Sequence, residues 1–333
     1  MASSNDIVLQ VDDLQVHFHG EGPVSRAVDG ATFTIREAET VCIVGESGCG
    51  KTVTALAVMG LLSQPPARLA GGRIFFQGQS LLDMAPSELR ALRGTRMAMV
   101  FQEPMTSLNP VFTIGNQIGE AILVHEDVAV SEARRRTIQL LADVGIADPE
   151  KRVDDYPHQL SGGQRQRAMI AMALACGPTL MIADEPTTAL DVTIQAQVLE
   201  LMKRLRNELG MAILLITHDL GVVAEMADRV SVMYAGKNVE EGLVEPIFER
   251  PLHPYTRGLL DSIPQLHRDQ VRLHAIDGGV PNPSQFPKGC RFHPRCQFAQ
   301  DRCRAEQPVL TEVEPGHKVS CWYPLVAADR GVA

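Results

Sequence analysis

Apolar positions along the chain change period several times, and each change marks an element. Short β-like runs at Val8-Leu9-Gln10-Val11, Ala31–Ile35 and Val41–Val44 alternate with turn residues across 7–45. They predict an antiparallel layer leading into a central strand. From Lys51 to Leu62 the spacing turns helical, residues 97–101 predict another strand, and 113–145 read as helical, with Ser131 and Glu132 opening an Arg-rich segment. Downstream the rhythm is strand then helix: strand Leu180–Ala183, helix Ile194–Leu209, strand Ala212–Thr217, helix Gly221–Met226 and strand Val230–Tyr234. This alternation predicts an α/β fold with a mainly parallel sheet covered by helices. Near residue 250 the composition shifts, and Pro251, Pro254, Pro264, Pro281, Pro283, Pro287, Pro294 and Pro308 interrupt any long period. A boundary is expected there, separating 1–250 from a smaller extension, 251–333.

The longest uncharged apolar run, Ala168 to Ala183, is too short for a membrane span and is interrupted by Gly177-Pro178, so it predicts a buried helix followed by a strand. The start, Met1 to Asp13, carries three aspartates and no basic or apolar leader region, which predicts a cytoplasmic location with any membrane attachment supplied by partners. A net charge of -9 argues against nonspecific nucleic-acid binding, which needs a cationic surface, so no nucleic-acid partner is expected. Seven cysteines divide unevenly: Cys42, Cys49 and Cys176 are scattered, whereas Cys290, Cys296, Cys303 and Cys321 crowd into the extension. In a reducing compartment such crowding suggests metal more than disulfide.

Three constellations carry candidate chemistry. Gly45-Glu46-Ser47-Gly48-Cys49-Gly50-Lys51-Thr52 fits the P-loop pattern and stands between an apolar strand and a helix, the context such a loop requires. Its glycines let backbone N–H groups wrap a polyphosphate, Lys51 is placed to neutralise β/γ charge, and the Thr52 hydroxyl to reach Mg²⁺. Cys49, inside the loop, reads as a tolerated small residue. Leu180–Ala183 ends in Asp184 and Glu185, an acid for Mg²⁺ followed by an acid able to polarise water or take its proton; alone this pair would read as a helix cap. Leu160-Ser161-Gly162-Gly163-Gln164 opens a further helix. In isolation it is an ordinary Ser-capped start, but beside a P-loop it is a surplus phosphate cradle, suited to a nucleotide held by a second subunit.

With these motifs in this order, the chain resembles an ABC-type ATPase. The resemblance implies a RecA-like parallel-sheet core with an antiparallel β layer and a helical subdomain at about 103–165, the whole nucleotide-binding domain spanning 1–250. It implies Gln102 as the residue that touches Mg²⁺ or the attacking water, Asp191 as the one that communicates across a dimer, and His218 as the γ-phosphate contact. Phe18 is the candidate for stacking on adenine, with His19 as its alternative. It further implies a head-to-tail dimer with ATP sandwiched between the P-loop of one subunit and Ser161-Gly162-Gly163-Gln164 of the other. The segment Glu103–Gly119 would then receive a short helix from a permease.

A narrower resemblance covers His253-Pro254-Tyr255-Thr256, Gly278-Gly279-Val280-Pro281, Gly289-Cys290-Arg291-Phe292 and Pro294-Arg295-Cys296, which look like the tail of the dipeptide, oligopeptide and nickel importer branch. That branch implies a homologous second ATPase in a heterodimer, with a homodimer as the alternative, two transmembrane permease subunits and a substrate-binding protein, with this chain at the cytoplasmic face of the inner membrane. The spacing Cys-x5-Cys-x6-Cys-x17-Cys lacks the close pairs of a zinc ribbon but can wrap a cubane. Tails of this kind imply a [4Fe–4S] centre, with zinc as the chemical rival. A soluble ATPase acting on nucleic acid would interpose a long coiled coil or duplicate the cassette, and this chain does neither.

Overall fold

The computed structural model describes residues 6–103, 107–188, 190–263 and 276–325. In chain order its elements are β1 (Ile7–Phe18), β2 (Ser25–Arg36), β3 (Thr40–Val44), α1 (Lys51–Val58), β4 (Ala67–Phe76), β5 (Gln79–Ser80), α2 (Pro86–Leu92), β6 (Met97–Val100), α3 (Ile114–His125), α4 (Val130–Asp143), α5 (Pro149–Arg152) and α6 (Gly162–Ala173). They continue with β7 (Leu180–Asp184), α7 (Val192–Leu209), β8 (Ala212–Thr217), α8 (Leu220–Met226), β9 (Arg229–Tyr234), β10 (Lys237–Leu243), α9 (Val244–Glu249), α10 (Pro254–Asp261), α11 (Asp301–Ala305), β11 (Thr311–Glu314) and β12 (His317–Val319). Two compact units result: Met1–Val8, Ile35–Glu39 and Ser80–Leu215 supply the first, and Leu9–Thr34, Thr40–Gln79 and Ile216–Ala333 the second.

In the first unit β6 and β7 pair in parallel, from Met97↔Leu180 to Val100↔Ala183. Every residue of β7 is buried, as expected of an apolar run in a sheet covered on both faces. Helices α3, α4 and α6 pack on one another. Helix α3 buries Ile114, Ile118 and Ile122, and α4 buries Ala133, Thr137 and Leu141, each a single stripe at four-residue spacing. The stretch 113–145, predicted as helical throughout, is therefore two helices. The first ends at Glu126, whose carboxylate accepts two hydrogen bonds from Arg136 of α4, at 2.5 and 2.9 Å. The apolar run from Ala168 divides, as its Gly-Pro break predicts, into the end of α6 and strand β7.

In the second unit β3 pairs in parallel with β9, and the order continues β10, β12, β11 through antiparallel pairs. A separate antiparallel layer places β1 between β2 and β4, with Leu9↔Phe76 at one end of the β1–β4 pair and Phe18↔Ala67 at the other. Both Pro-rich tail strands thus belong to the sheet of this unit. Strand β10 is the element that hydrophobic patterning misses, because Glu240 and Glu241 stand at its centre and are buried (0% and 3% exposed). Each has partners: Glu240 accepts from the N–H groups of Leu252 (2.6 Å) and His253 (3.0 Å) and lies 2.7 Å from His317 Nε2, while Glu241 pairs through one carboxylate oxygen with Arg229. Buried carboxylates persist only with such partners. Among the described residues no helix is long and apolar enough to cross a membrane.

Candidate active site

In the second unit, β3 is wholly buried and delivers the chain into Gly45. This residue has φ +152, and a Cβ there would meet the carbonyl oxygen of Met233 at 2.1 Å. Gly50, at φ +105, precedes α1, and a Cβ there would stand 2.5 Å from the Ala27 carbonyl oxygen. Only glycine satisfies both the left-handed backbone and the close approach. No side chain caps α1 and its first turn carries no acid, so its leading N–H groups point at the loop with the positive end of the helix dipole. Lys51 is buried, and its Nζ donates to the carbonyls of Gly45 (2.8 Å) and Glu46 (3.1 Å). Ser47, Gly48 and Thr52 are exposed. Cys49 is fully buried and burial raises its thiol pKa, which suits a packing residue and not a nucleophile.

Sequence reasoning missed what holds Glu46. Its backbone N–H donates to the Tyr255 hydroxyl at 2.9 Å, and its carboxylate accepts a two-pronged pair from Arg295, at 2.6 and 3.0 Å. Tyr255 packs among Tyr234 and Phe292, with ring centroids 4.6 and 5.4 Å away. Also in this unit, His218 is exposed immediately after buried β8, and Asp219 caps α8 by accepting from Gly221 N at 2.8 Å. Phe18, half-buried, ends β1 opposite Ala67; exposed His19 follows it and donates its N–H to the Pro66 carbonyl.

In the first unit, Asp184 is the buried last residue of β7, and Glu185 follows at φ +47, a left-handed turn that a non-glycine residue adopts at some cost. Glu185 Oε2 accepts two hydrogen bonds of 3.0 Å, one from Gln102 Nε2 and one from Thr188 Oγ1. The carboxylate is thereby fixed in orientation, and Gln102 keeps its amide oxygen for another partner. The loop before α6 closes a reciprocal cap. Ser161 Oγ accepts from Gln164 N at 3.3 Å, and Gln164 Oε1 accepts from Ser161 N at 2.9 Å. Asp191 caps α7 in turn, accepting from Ile194 N at 3.0 Å. A Cβ on Gly163 would meet Ile194 Cγ2 at 2.6 Å, so α6 and α7 approach through this glycine, while Gly162 has ordinary room. Of the neighbouring motif residues, Ala189 lies outside the described residues, as do Pro104, Met105 and Thr106 of the segment Glu103–Gly119.

In the tail, Cys290, Cys296, Cys303 and Cys321 line one cavity together with His253, Phe292, His293, Phe298, Trp322 and Tyr323. None forms a disulfide. Burial raises the thiol pKa of Cys296 to about 11 and of Cys321 to about 12. Among the described residues no three His, Cys, Asp or Glu side chains are gathered as ligands of a single metal ion. Burial lowers the pKa of His253 to about 4, consistent with its Nδ1 accepting the N–H of Tyr255 at 3.0 Å.

Comparison with known proteins accounts for this set of loops. The family model described as "ABC transporter" matches residues 28–188, and that described as "Oligopeptide/dipeptide transporter, C-terminal region" matches 239–303. A probable peptide ABC transporter ATP-binding protein, y4tR, of Sinorhizobium fredii is 53% identical over 318 residues, covering 95% of either chain. The dipeptide transport ATP-binding protein DppD of Escherichia coli is 52% identical over 323 residues, 97% of this chain and 98% of that one. The oligopeptide transport ATP-binding protein AppD of Bacillus subtilis is 50% identical over 315 residues, 95% of this chain and 96% of that one. Among solved structures, the ATP-binding cassette MJ0796, a dimer bound to ADP and Pi, superposes with a TM-score of 0.64 at 26% identity, covering 71% of this chain and 98% of that one. The chain belongs to the ABC transporter ATP-binding family, in the branch that carries the oligopeptide/dipeptide transporter C-terminal region.

Proposed function

We propose that this chain hydrolyses ATP to power the import of di- or oligopeptides, or of a related small solute such as nickel, through an ABC transporter. The observation that carries the reading is the Glu185 carboxylate, set at the end of a buried strand and oriented by Gln102 and Thr188. In this role Glu185 takes a proton from the water that attacks the γ-phosphate, and ADP leaves. Gly45 to Thr52 cradle the phosphates, Lys51 offsets their charge, His218 contacts the γ-phosphate and Phe18 stacks on adenine. Thr52, Asp184 and the amide oxygen of Gln102 would hold Mg²⁺, a hard cation that would supply positive charge against the phosphates.

The same membership supports a reading of the partners. Ser161, Gly162, Gly163 and Gln164, with Asp191, serve the ATP of a second, homologous ATPase in a head-to-tail dimer. Two transmembrane permeases receive the strokes, with a substrate-binding protein supplying cargo, and the chain works at the cytoplasmic face of the inner membrane. Exposed Val111 and Phe112, in the segment Glu103–Gly119, suit the docking of a permease helix. We assign the four tail cysteines to a [4Fe–4S] cluster. The support is that all four line one cavity, and a cubane takes one thiolate for each iron. Iron and sulfide in anaerobically purified protein, with zinc absent, is the expected analysis; stoichiometric zinc would reverse the assignment.

The transport reading is tested by ATP hydrolysis in membrane vesicles containing the permeases and the partner ATPase, wild type beside Glu185→Gln. Permease-dependent hydrolysis should fall on the order of 100-fold while ATP binding persists. Hydrolysis indifferent to the permeases would leave an ATPase with no transport role.

A further inference from the structure

A negative side chain inside a loop that wraps a polyphosphate is unfavourable, and Glu46 is such a side chain. The structure supplies its counter-charge from 249 residues away, in the Pro-rich tail. The Arg295 side chain is 5% exposed and meets both carboxylate oxygens of Glu46. It is also anchored without Glu46, because its guanidinium donates to the carbonyls of Asp277 (2.8 Å), Ile276 (3.2 Å) and Gly278 (3.3 Å). Tyr255, itself fully buried, holds the Glu46 backbone from the other side through its hydroxyl. Arg295 adjoins Cys296 in sequence and lies 6.0 Å from the ring of Phe292, and both residues line the four-cysteine cavity.

We propose that Arg295 is a positioning residue for nucleotide binding: it fixes and neutralises Glu46 so that the P-loop presents no uncompensated carboxylate to the phosphates, and so ties nucleotide affinity to the tail. This rests on the P-loop reading above. Charge makes the proposal separable from mere scaffolding. Breaking the pair from the arginine side leaves an anion in the loop, whereas breaking it from the glutamate side leaves a cation still held by three carbonyls. A structural brace would lose affinity both ways; an electrostatic one shifts it in opposite directions.

The test is Mg·ATP affinity of the full chain by isothermal titration calorimetry for wild type, Arg295→Met and Glu46→Gln, at low and high salt. Coulomb interaction across a few ångströms of partly solvated loop gives an expected weakening of about fivefold for Arg295→Met. Glu46→Gln is expected to bind up to about threefold tighter than wild type, unchanged affinity there counting against the charge argument, and both shifts should shrink at ~0.5 M salt. Weakening in both variants, or wild-type affinity in Arg295→Met, overturns the proposal. Should Arg295→Met fail to fold, Glu46→Gln decides alone, since weakened binding there contradicts the charge argument. A wild-type chain that binds no ATP would instead refute the P-loop reading and this one with it.

Discussion

Helices α1 and α6 both begin after a glycine-containing loop, yet their N-termini are finished differently. Helix α1 starts behind Gly50 with no side-chain cap, whereas α6 starts behind Ser161 with a reciprocal cap to Gln164. An uncapped helix start leaves its N–H donors to an anion, while a capped one is satisfied within its own chain. The difference teaches that α6 closes its own N-terminus with a side chain where α1 leaves that place to glycine. A phosphate approaching α6 exchanges one hydrogen bond for another; at α1 no N-cap side chain competes with it. Under the function proposed above, that asymmetry suits a loop that holds nucleotide throughout a cycle and another that meets it only on dimer closure.

The largest expected effect removes the first arrangement outright. In Gly45→Ala the new Cβ meets a backbone carbonyl at 2.1 Å, which cannot swing aside as a side-chain tip would. ATP affinity should drop by about 100-fold or more, ~3 kcal/mol, at a position that also demands a left-handed backbone; calorimetric affinity near wild type would mean that the cradle is far more pliant than β3 and β9 make it. Next is Gly163→Ala, where the obstruction is the branched tip of Ile194 at 2.6 Å. Overpacking there should cost about 1–3 kcal/mol in urea unfolding, and Ile194→Ala in the same chain should recover part of it. An unshifted midpoint would show that α6 and α7 tolerate a wider spacing.

The smallest effect tests the cap itself. Ser161→Ala should lower stability by about 1 kcal/mol, and Ser161→Asp should restore it, because aspartate caps equally well. Only the aspartate brings a negative charge to the place proposed for a partner's phosphate, so hydrolysis by the assembled transporter should stay depressed in Ser161→Asp after stability has recovered. Recovery of both together would reduce the loop to a helix start.

Much of this was legible in the sequence where the cause is local. Gly45, Gly50 and Lys51 announce the P-loop because the backbone conformation and the charge are needed within eight residues, and β7 announces itself by an apolar run closed by two acids. Distant causes leave no such trace. Glu46 looks like any charged loop residue until Arg295 is folded against it, and Arg295 sits where prolines remove all periodicity. Strand β10 breaks the alternation rule with adjacent buried glutamates that are tolerable only because Arg229, His317 and two backbone N–H groups reach them. Helices α3 and α4 read as one because nothing apolar interrupts their pattern before Glu126.

The seam between β10 and β12, where Glu240 lies opposite Val319 and Glu241 opposite Lys318, also bears on how the chain survives damage. Removing the tail would bare the β10 margin at Val239, Glu240 and Glu241 and strip Glu240 of Leu252, His253 and His317, while Arg229 stays with Glu241. Open margins of this kind recruit other strands. A protease nick beyond Glu249 is then expected to yield not a smaller working ATPase but a fragment with an open strand edge, prone to pair with others.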